Sequence, residues 1–74
     1  MIIAKFTEEE LGKLVKSEDA YDRIKAAEQG YGLDVLVNDE DWRVREAVAR
    51  QGYGLDILIN DESERIKAHL SAPN

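Results

Sequence analysis

Apolar residues recur along this chain at the spacing of one helix face, in short runs separated by glycine and acidic residues. Within residues 42–51, Val44, Ala47 and Val48 stand at the i, i+3, i+4 spacing of an amphipathic helix. Gly52 follows the last periodic residue, where a glycine can adopt the left-handed conformation that closes a helix. The pattern therefore predicts a helix over this segment.

A shorter helix is predicted after the turn made by Tyr53 and Gly54. Leu55, Leu58 and Ile59 repeat at helical spacing, and we expect all three side chains to face the interior. The apolar run is long enough for little more than one turn, which is typical of a short α- or 3₁₀-helix. A long helix and a short helix thus make up one unit.

Capping residues mark where the helices begin. Thr7 with Glu10 has the spacing of a capping box, which predicts a helix start at the beginning of the chain. Before the helix over residues 42–51 stands an acidic cluster at residues 39–41. We expect Asp39 to be the N-cap and the other two carboxylates to favour the positive end of the helix dipole.

The helix–turn–helix unit is repeated. Residues 19–40 align with residues 41–62 without a gap, and 13 of the 22 positions are identical. A fixed period of this kind is typical of stacked units, each covering the apolar face of its neighbour. The sequence predicts an all-α domain over residues 1–74: a short α-solenoid of stacked 22-residue repeats with about five helices. Its parts are a capping helix (1–18), repeat 1 (19–40), repeat 2 (41–62) and a partial repeat (63–74).

The repeat resembles a known family. The spacing Asp-x-x-Val44-Arg45-x-x-Val48-Ala, then a turn, then Leu-x-x-Leu-x-x-Asp61 is similar to the leucine-rich repeat variant, a short helical repeat of HEAT-like style. The similarity covers roughly residues 11–70. It implies a right-handed solenoid of alternating long and short helices, whose members mostly act as interaction scaffolds. This unit is shorter than usual in that family, and it has Gly-Tyr-Gly where a proline-bearing loop is common.

Composition narrows the class of function. Sixteen acidic against 10 basic residues give a net charge of −6, which argues against binding nucleic acid or an anionic membrane surface. No apolar stretch approaches the roughly 18 residues needed to span a bilayer. The first residues do not resemble a secretory signal, so a cytoplasmic location is expected by elimination.

The sequence contains no recognisable catalytic, cofactor or metal constellation. Cysteine is absent, and there is no Ser/His/Asp arrangement or glycine loop followed by lysine. His69 is the single histidine, whereas a metal site needs about three or four ligands. The acidic cluster lacks the glycine-centred spacing of a calcium loop. We therefore expect a protein that is not an enzyme and that uses no cofactor.

Four residues are candidates for partner binding. Trp42 is the single tryptophan, and no aromatic residue stands at the equivalent place in the other units. It either packs against a neighbouring helix or contacts a partner, together with Arg43. Tyr31 and Tyr53 occupy identical Gly-Tyr-Gly turns. The two tyrosines could form one edge that contacts a partner. The favoured interpretation is that their rings cover the end of the hydrophobic core.

Charged residues also recur at the repeat spacing. Arg23, Arg45 and Lys67 form one series, and Asp39 and Asp61 form another. The favoured interpretation is a ladder of ion pairs that joins neighbouring units; the alternative is a charged stripe for a partner.

The last helix poses the question of self-association. Ile66 and Leu70 have no following unit to cover them, which favours a homodimer through this helix.

Two functions follow from these features. The leading hypothesis is a non-catalytic protein-interaction module or adaptor. The alternative is an acidic inhibitor that mimics nucleic acid and occupies the basic groove of a DNA- or RNA-binding protein.

Overall fold

The computed structural model describes residues 6–61 and 63–71, except for the side chains of residues 69–71. This part of the chain contains six helices and no strand, which confirms the all-α class. The helices are α1 (Glu8–Val15), α2 (Ala20–Glu28), α3 (Leu33–Leu36), α4 (Trp42–Arg50), α5 (Leu55–Leu58) and α6 (Glu64–Ser71). There is one more helix than expected. No helix in these ranges is long and apolar enough to cross a membrane.

Equivalent helices make equivalent contacts. Helix α4 begins one repeat length after α2, and α5 begins one repeat length after α3. The longer helices pack in chain order, α1 on α2, α2 on α4 and α4 on α6. Each single-turn helix contacts the longer helices on either side of it, α3 with α2 and α4, and α5 with α4 and α6.

Helix α4 is capped by Asp41 and not by Asp39. The Oδ1 atom of Asp41 accepts the backbone N–H of Arg43 at 2.8 Å. Because Trp42 is the first helical residue, the N-cap is the residue directly before it. Asp39 instead accepts the backbone N–H of Asp41 at 2.9 Å, so it orders the turn that leads into the cap. By contrast, the expected capping box of Thr7 is confirmed at the start of α1.

The short helices begin at glycines that lie against a valine of the preceding unit. Gly32 and Gly54 have φ values of 71° and 66°, in the left-handed region. A β-carbon on Gly32 would stand 2.7 Å from Cγ2 of Val15, and one on Gly54 would stand 2.6 Å from Cγ2 of Val37. Glycine therefore permits both the turn and the close approach of the two units.

The buried core runs through the middle of the helix array. Its members are apolar side chains of α2 to α6 and of the residue directly after α3: Ala26, Ala27, Leu36, Val37, Val44, Ala47, Val48, Ala49, Leu58 and Ile66. Most come from the longer helices, and each single-turn helix places one leucine among them.

The expected inward stripe of the second short helix is only partly correct. Leu58 is buried as predicted, but Leu55 is 43% exposed and Ile59 is 48% exposed. Val37, which stands one unit earlier at the position of Ile59, is 4% exposed. The difference arises because Val37 is covered by the Gly54 turn of the following unit, whereas no such turn follows Ile59 among the described residues.

The predicted arginine–aspartate ion pairs form, but each lies within one repeat and does not join neighbouring repeats as expected; the bonds that cross from one repeat to the preceding one run from the same arginines to backbone carbonyls. Arg23 donates to both carboxylate oxygens of Asp39, at 2.8 and 3.1 Å, and Arg45 donates to those of Asp61, at 2.6 and 3.1 Å. Each arginine also donates to a backbone carbonyl, that of Ser17 at 2.7 Å or that of Asp39 at 2.6 Å. These side chains are between 9% and 14% exposed, so the pairs are shielded from bulk water.

Candidate functional site

A groove of about 400 Å³ is lined by residues of α2 and α4 and by the residue that follows α4. It is called here the α2/α4 groove, and it is lined by Ile24, Glu28, Trp42, Arg43, Glu46, Ala47, Arg50 and Gln51. Ile24 and Ala47 give it apolar surface, and the charged side chains belong to both signs. Its volume suits one or two side chains of a bound segment.

Trp42 occupies one edge of the groove as the first residue of α4. It remains 37% exposed in spite of its size. The guanidinium carbon of Arg65, on α6, lies 5.4 Å from the centroid of its ring, which is within the range of a cation–π contact. The ring is therefore held in place by the neighbouring helix while part of its surface stays open.

Arg43 is fixed from two sides. Its Nε and Nη2 atoms donate to the carboxylate of Asp41, at 3.1 and 2.7 Å, and its Nη1 atom donates to the hydroxyl of Tyr21 at 3.0 Å. The guanidinium carbon also lies 5.0 Å from the centroid of the Tyr21 ring. Because all three nitrogens are engaged, Arg43 shapes the wall of the groove and ties α4 to α2.

The ion pair of Asp41 and Arg43 shifts the pKa of both groups. The hydrogen bond from the Arg43 side chain lowers the pKa of Asp41 to about 2, and the capping N–H of the same residue acts in the same direction. The hydrogen bond to Asp41 in turn raises the pKa of Arg43. Both groups are therefore ionised at neutral pH.

Glu46 lies between two exposed arginines. Its side chain is 13% exposed and stands 3.7 Å from Nη2 of Arg50 and 3.5 Å from Nε of Arg65. The two arginine side chains are 58% and 65% exposed. Such long, open pairs hold an arginine weakly. Because Arg65 is also held over the ring of Trp42, Arg50 is the arginine whose guanidinium group can turn toward a carboxylate on a bound segment.

The structure brings together two of the four predicted contact residues. Trp42 and Arg43 are neighbours in the α2/α4 groove. Tyr31 and Tyr53 lie on the turns after α2 and α4 and do not line it. Tyr31 is half-buried and Tyr53 is 40% exposed.

The structure does not place Ile66 on an uncovered flank, where self-association was expected. Ile66 is completely buried within the monomer, between the last helices, so its side chain offers no exposed flank. Burial follows from its position, since it repeats Val44 one unit later and packs into the same core. The side chain of Leu70 lies outside the described part of the chain.

Among the residues in or beside the groove that were not identified from the sequence are Tyr21, Glu46, Arg50 and Arg65. A signal existed for the first of these. Tyr21 stands one repeat length before Arg43, so neighbouring units place an aromatic ring and a guanidinium group side by side. The number of arginines in the sequence was a second signal. Of the five arginines in the chain, two form the ladder, and the other three stand in or beside the groove.

Comparison of the chain with protein-family models, with curated proteins and with solved structures found no match.

Proposed function

We propose that this chain is a non-catalytic protein-interaction module, built as a short solenoid of stacked repeats, which binds a segment of a partner protein in the α2/α4 groove. The observation that carries the proposal is that the half-open ring of Trp42 lines the same groove as apolar Ile24 and the exposed side chain of Arg50. Tryptophan and arginine are, with tyrosine, the residues most enriched among those that dominate the energetics of protein interfaces.

The rigid part of the groove is already built in the unbound chain. Arg43 is held by Asp41 and Tyr21, and Trp42 is held by Arg65, so little ordering is needed when a segment binds. Preorganisation of this kind lowers the entropic cost of association. The exposed guanidinium group of Arg50 then favours a segment with an apolar side chain next to a carboxylate.

Affinity capture from a lysate of the source organism tests the proposal. The wild-type chain is compared with Trp42→Ala, which removes the open ring, and with Arg50→Glu, which reverses an exposed charge. Tyr53→Ala is the matched control, because it removes a similarly exposed aromatic ring outside the groove. We expect Tyr53→Ala to retain the partner that the wild type captures, and both groove variants to lose it.

A direct titration completes the test. Trp42 is the single tryptophan, so its fluorescence reports on the groove alone. The segment of the captured protein that binds should change that emission. A partner captured equally well by Trp42→Ala and Arg50→Glu would contradict the proposal. Capture that falls steeply with salt and ignores both variants would instead favour an acidic mimic of nucleic acid.

A further inference from the structure

The two walls of the α2/α4 groove carry opposite charges at equivalent positions of the repeat. Glu28, the last residue of α2, and Arg50, the last residue of α4, stand one repeat length apart in the sequence. Both side chains line the groove, and both residues are exposed. The groove therefore offers a carboxylate on one wall and a guanidinium group on the other.

These two charges lie at the opposite end of the groove from Trp42. Arg43, in the first turn of α4, donates to the hydroxyl of Tyr21, in the first turn of α2, so the starts of the two helices are neighbours. Helix α4 has nine residues, and Trp42 is its first and Arg50 its last. At a rise of about 1.5 Å per residue, its two ends are about 12 Å apart along the axis. A bound segment therefore meets the Trp42 ring and the two charges at separate places.

Neither charge is strongly engaged within the described part of the chain. Glu28 forms no ion pair with any residue of that part. Arg50 is 58% exposed and reaches only Glu46 of its own helix, at 3.7 Å. The C-terminal end of a helix disfavours negative charge and favours positive charge, so Glu28 is unfavourably placed where its equivalent Arg50 is favourably placed. Glu28 thus destabilises the free helix, and a bound cation would remove that effect.

We propose that the segment bound in the α2/α4 groove carries a basic side chain that pairs with Glu28 and an acidic side chain that pairs with Arg50, while an apolar side chain packs on Trp42 at the other end. This inference rests on the proposed function and specifies the chemistry of the partner. Charge complementarity supports it, because each wall attracts one sign of charge and repels the other. The groove therefore selects a segment by the order of its charges, since a segment with the two charges exchanged meets like charge on both walls.

Peptide selection on two forms of the whole protein tests the inference. The probe is a phage-displayed library of random short peptides, panned on the wild-type chain and on the double variant Glu28→Arg, Arg50→Glu. The double variant exchanges the two charges, so its composition and its net charge of −6 are those of the wild type. Peptides selected by the wild type should share an apolar residue, a basic residue at one position and an acidic residue at another. The double variant should select the same apolar residue with the two signs exchanged.

Trp42→Ala is the control for the site. Panning on this variant identifies the peptides that bind elsewhere, and only those that need the Trp42 ring are compared. Peptides that need the ring but have the same charge order on both forms of the protein, or no charge order, would overturn this inference and leave the proposed function standing. Peptides that all bind Trp42→Ala equally well, or no enrichment at all, would contradict the proposed function as well.

A double-mutant cycle measures one of the two pairs without exchanging charges. A peptide selected by the wild type is compared with a variant in which its basic residue is alanine, and the fluorescence of Trp42 gives both affinities. The alanine peptide should bind the wild type about fivefold more weakly, which is the upper range for a partly exposed ion pair. The two peptides should bind Glu28→Gln equally well, because the pair is already absent there.

Asp34→Asn is the matched control for the cycle. It neutralises an exposed carboxylate that does not line the groove, so the alanine peptide should still bind it about fivefold more weakly. An equal loss for the wild type and for Glu28→Gln would show that Glu28 does not bind the basic residue, and would overturn the inference.

Discussion

Arg43 and Arg45 stand two positions apart on α4 and have opposite roles. Two residues correspond to slightly more than half a turn of an α-helix, so the side chains leave it on opposite sides. Arg45 turns to the ladder and binds Asp61, whereas Arg43 turns to the groove and binds Asp41 and Tyr21. Residue type alone does not distinguish them, but their places on the helix do.

At this scale we predict a pH dependence that belongs to Asp41. Its pKa is about 2 in the folded chain against an ordinary value of 3.8, so folding favours the ionised form. The resulting stabilisation is complete above pH 3.8 and is lost as the pH falls from there toward 2. The unfolding midpoint should fall over this range.

Asp41→Asn is the control for that prediction, because asparagine still caps the helix but carries no charge. The variant should be less stable than the wild type at neutral pH, and the gap should narrow below pH 3. The stability of this variant should still depend weakly on pH, because Asp61 also has a lowered pKa in the folded chain. Burial acts to raise the pKa of Asp61, but hydrogen bonds from Arg45 and Ser63 outweigh it and lower the pKa. Identical pH profiles for both proteins would contradict the assignment to Asp41.

At the scale of the elements, the four-residue helices α3 and α5 depend on their surroundings. A single turn is not stable in isolation, because nucleation costs more than one or two hydrogen bonds return. Each begins at a left-handed glycine in contact with the preceding unit and buries one leucine. Their stability therefore comes from tertiary contact.

Two glycines that differ in their neighbours test this dependence. Gly52 and Gly54 both have positive φ, but a β-carbon on Gly52 would meet open space and one on Gly54 would stand 2.6 Å from Val37. Gly52→Ala should cost about 1–2 kcal/mol from backbone strain. Gly54→Ala should cost about 1–3 kcal/mol more, since buried, β-branched Val37 has little freedom to move. Urea unfolding measures both, and equal losses would argue against the close contact.

The ladder provides a second prediction for the elements. Asp39→Ala leaves the guanidinium group of Arg23 shielded and without its carboxylate, so the free energy of unfolding should fall by about 3 kcal/mol. Lys25→Ala removes an exposed pair with Asp22, at 3.7 Å, and should cost about 0–1 kcal/mol. Denaturant titration of the two variants compares them directly. A loss for Asp39→Ala no larger than that for Lys25→Ala would mean that the shielded pair contributes no more to stability than an exposed one.

At the scale of the whole molecule, neighbouring units decide which equivalent side chains are buried. Val37→Ala should cost about 2 kcal/mol, because it opens a cavity beneath the next unit. Ile59→Ala removes more atoms from the equivalent position but should cost only about 0.5 kcal/mol, because that position is largely exposed. Thermal or denaturant unfolding gives both values. A larger loss of stability for Ile59→Ala than for Val37→Ala would show that the side chain of Ile59 is covered in the free protein.

Much of the local structure was predictable from the sequence because it depends on short-range chemistry. The capping box of Thr7, the end of α4 before Gly52 and the burial of Val44 and Val48 follow from side-chain type and spacing. The cap of α4 was wrong by two residues, because several carboxylates precede that helix and only the actual start of the helix selects Asp41.

The site was predictable only in part. Trp42 was identified by its uniqueness in the sequence, whereas Tyr21, Glu46, Arg50 and Arg65 join it through contacts between helices. Tyr31 and Tyr53 resemble contact residues in the sequence but lie on turns away from the groove. Spacing along one helix does not fix which faces of two helices meet.

The sequence by itself determined the helical class, the repeat offset and the series of charges and glycines, because each depends on residues close together or on exact repetition. Tertiary structure alone decided that Ile66 is buried and Ile59 exposed, and that Arg43 lines a groove while Arg45 donates to the backbone carbonyl of Asp39 in the preceding unit. The physical reason is that burial and pairing depend on what the neighbouring unit places opposite a side chain, and identical positions in a repeat can have different neighbours.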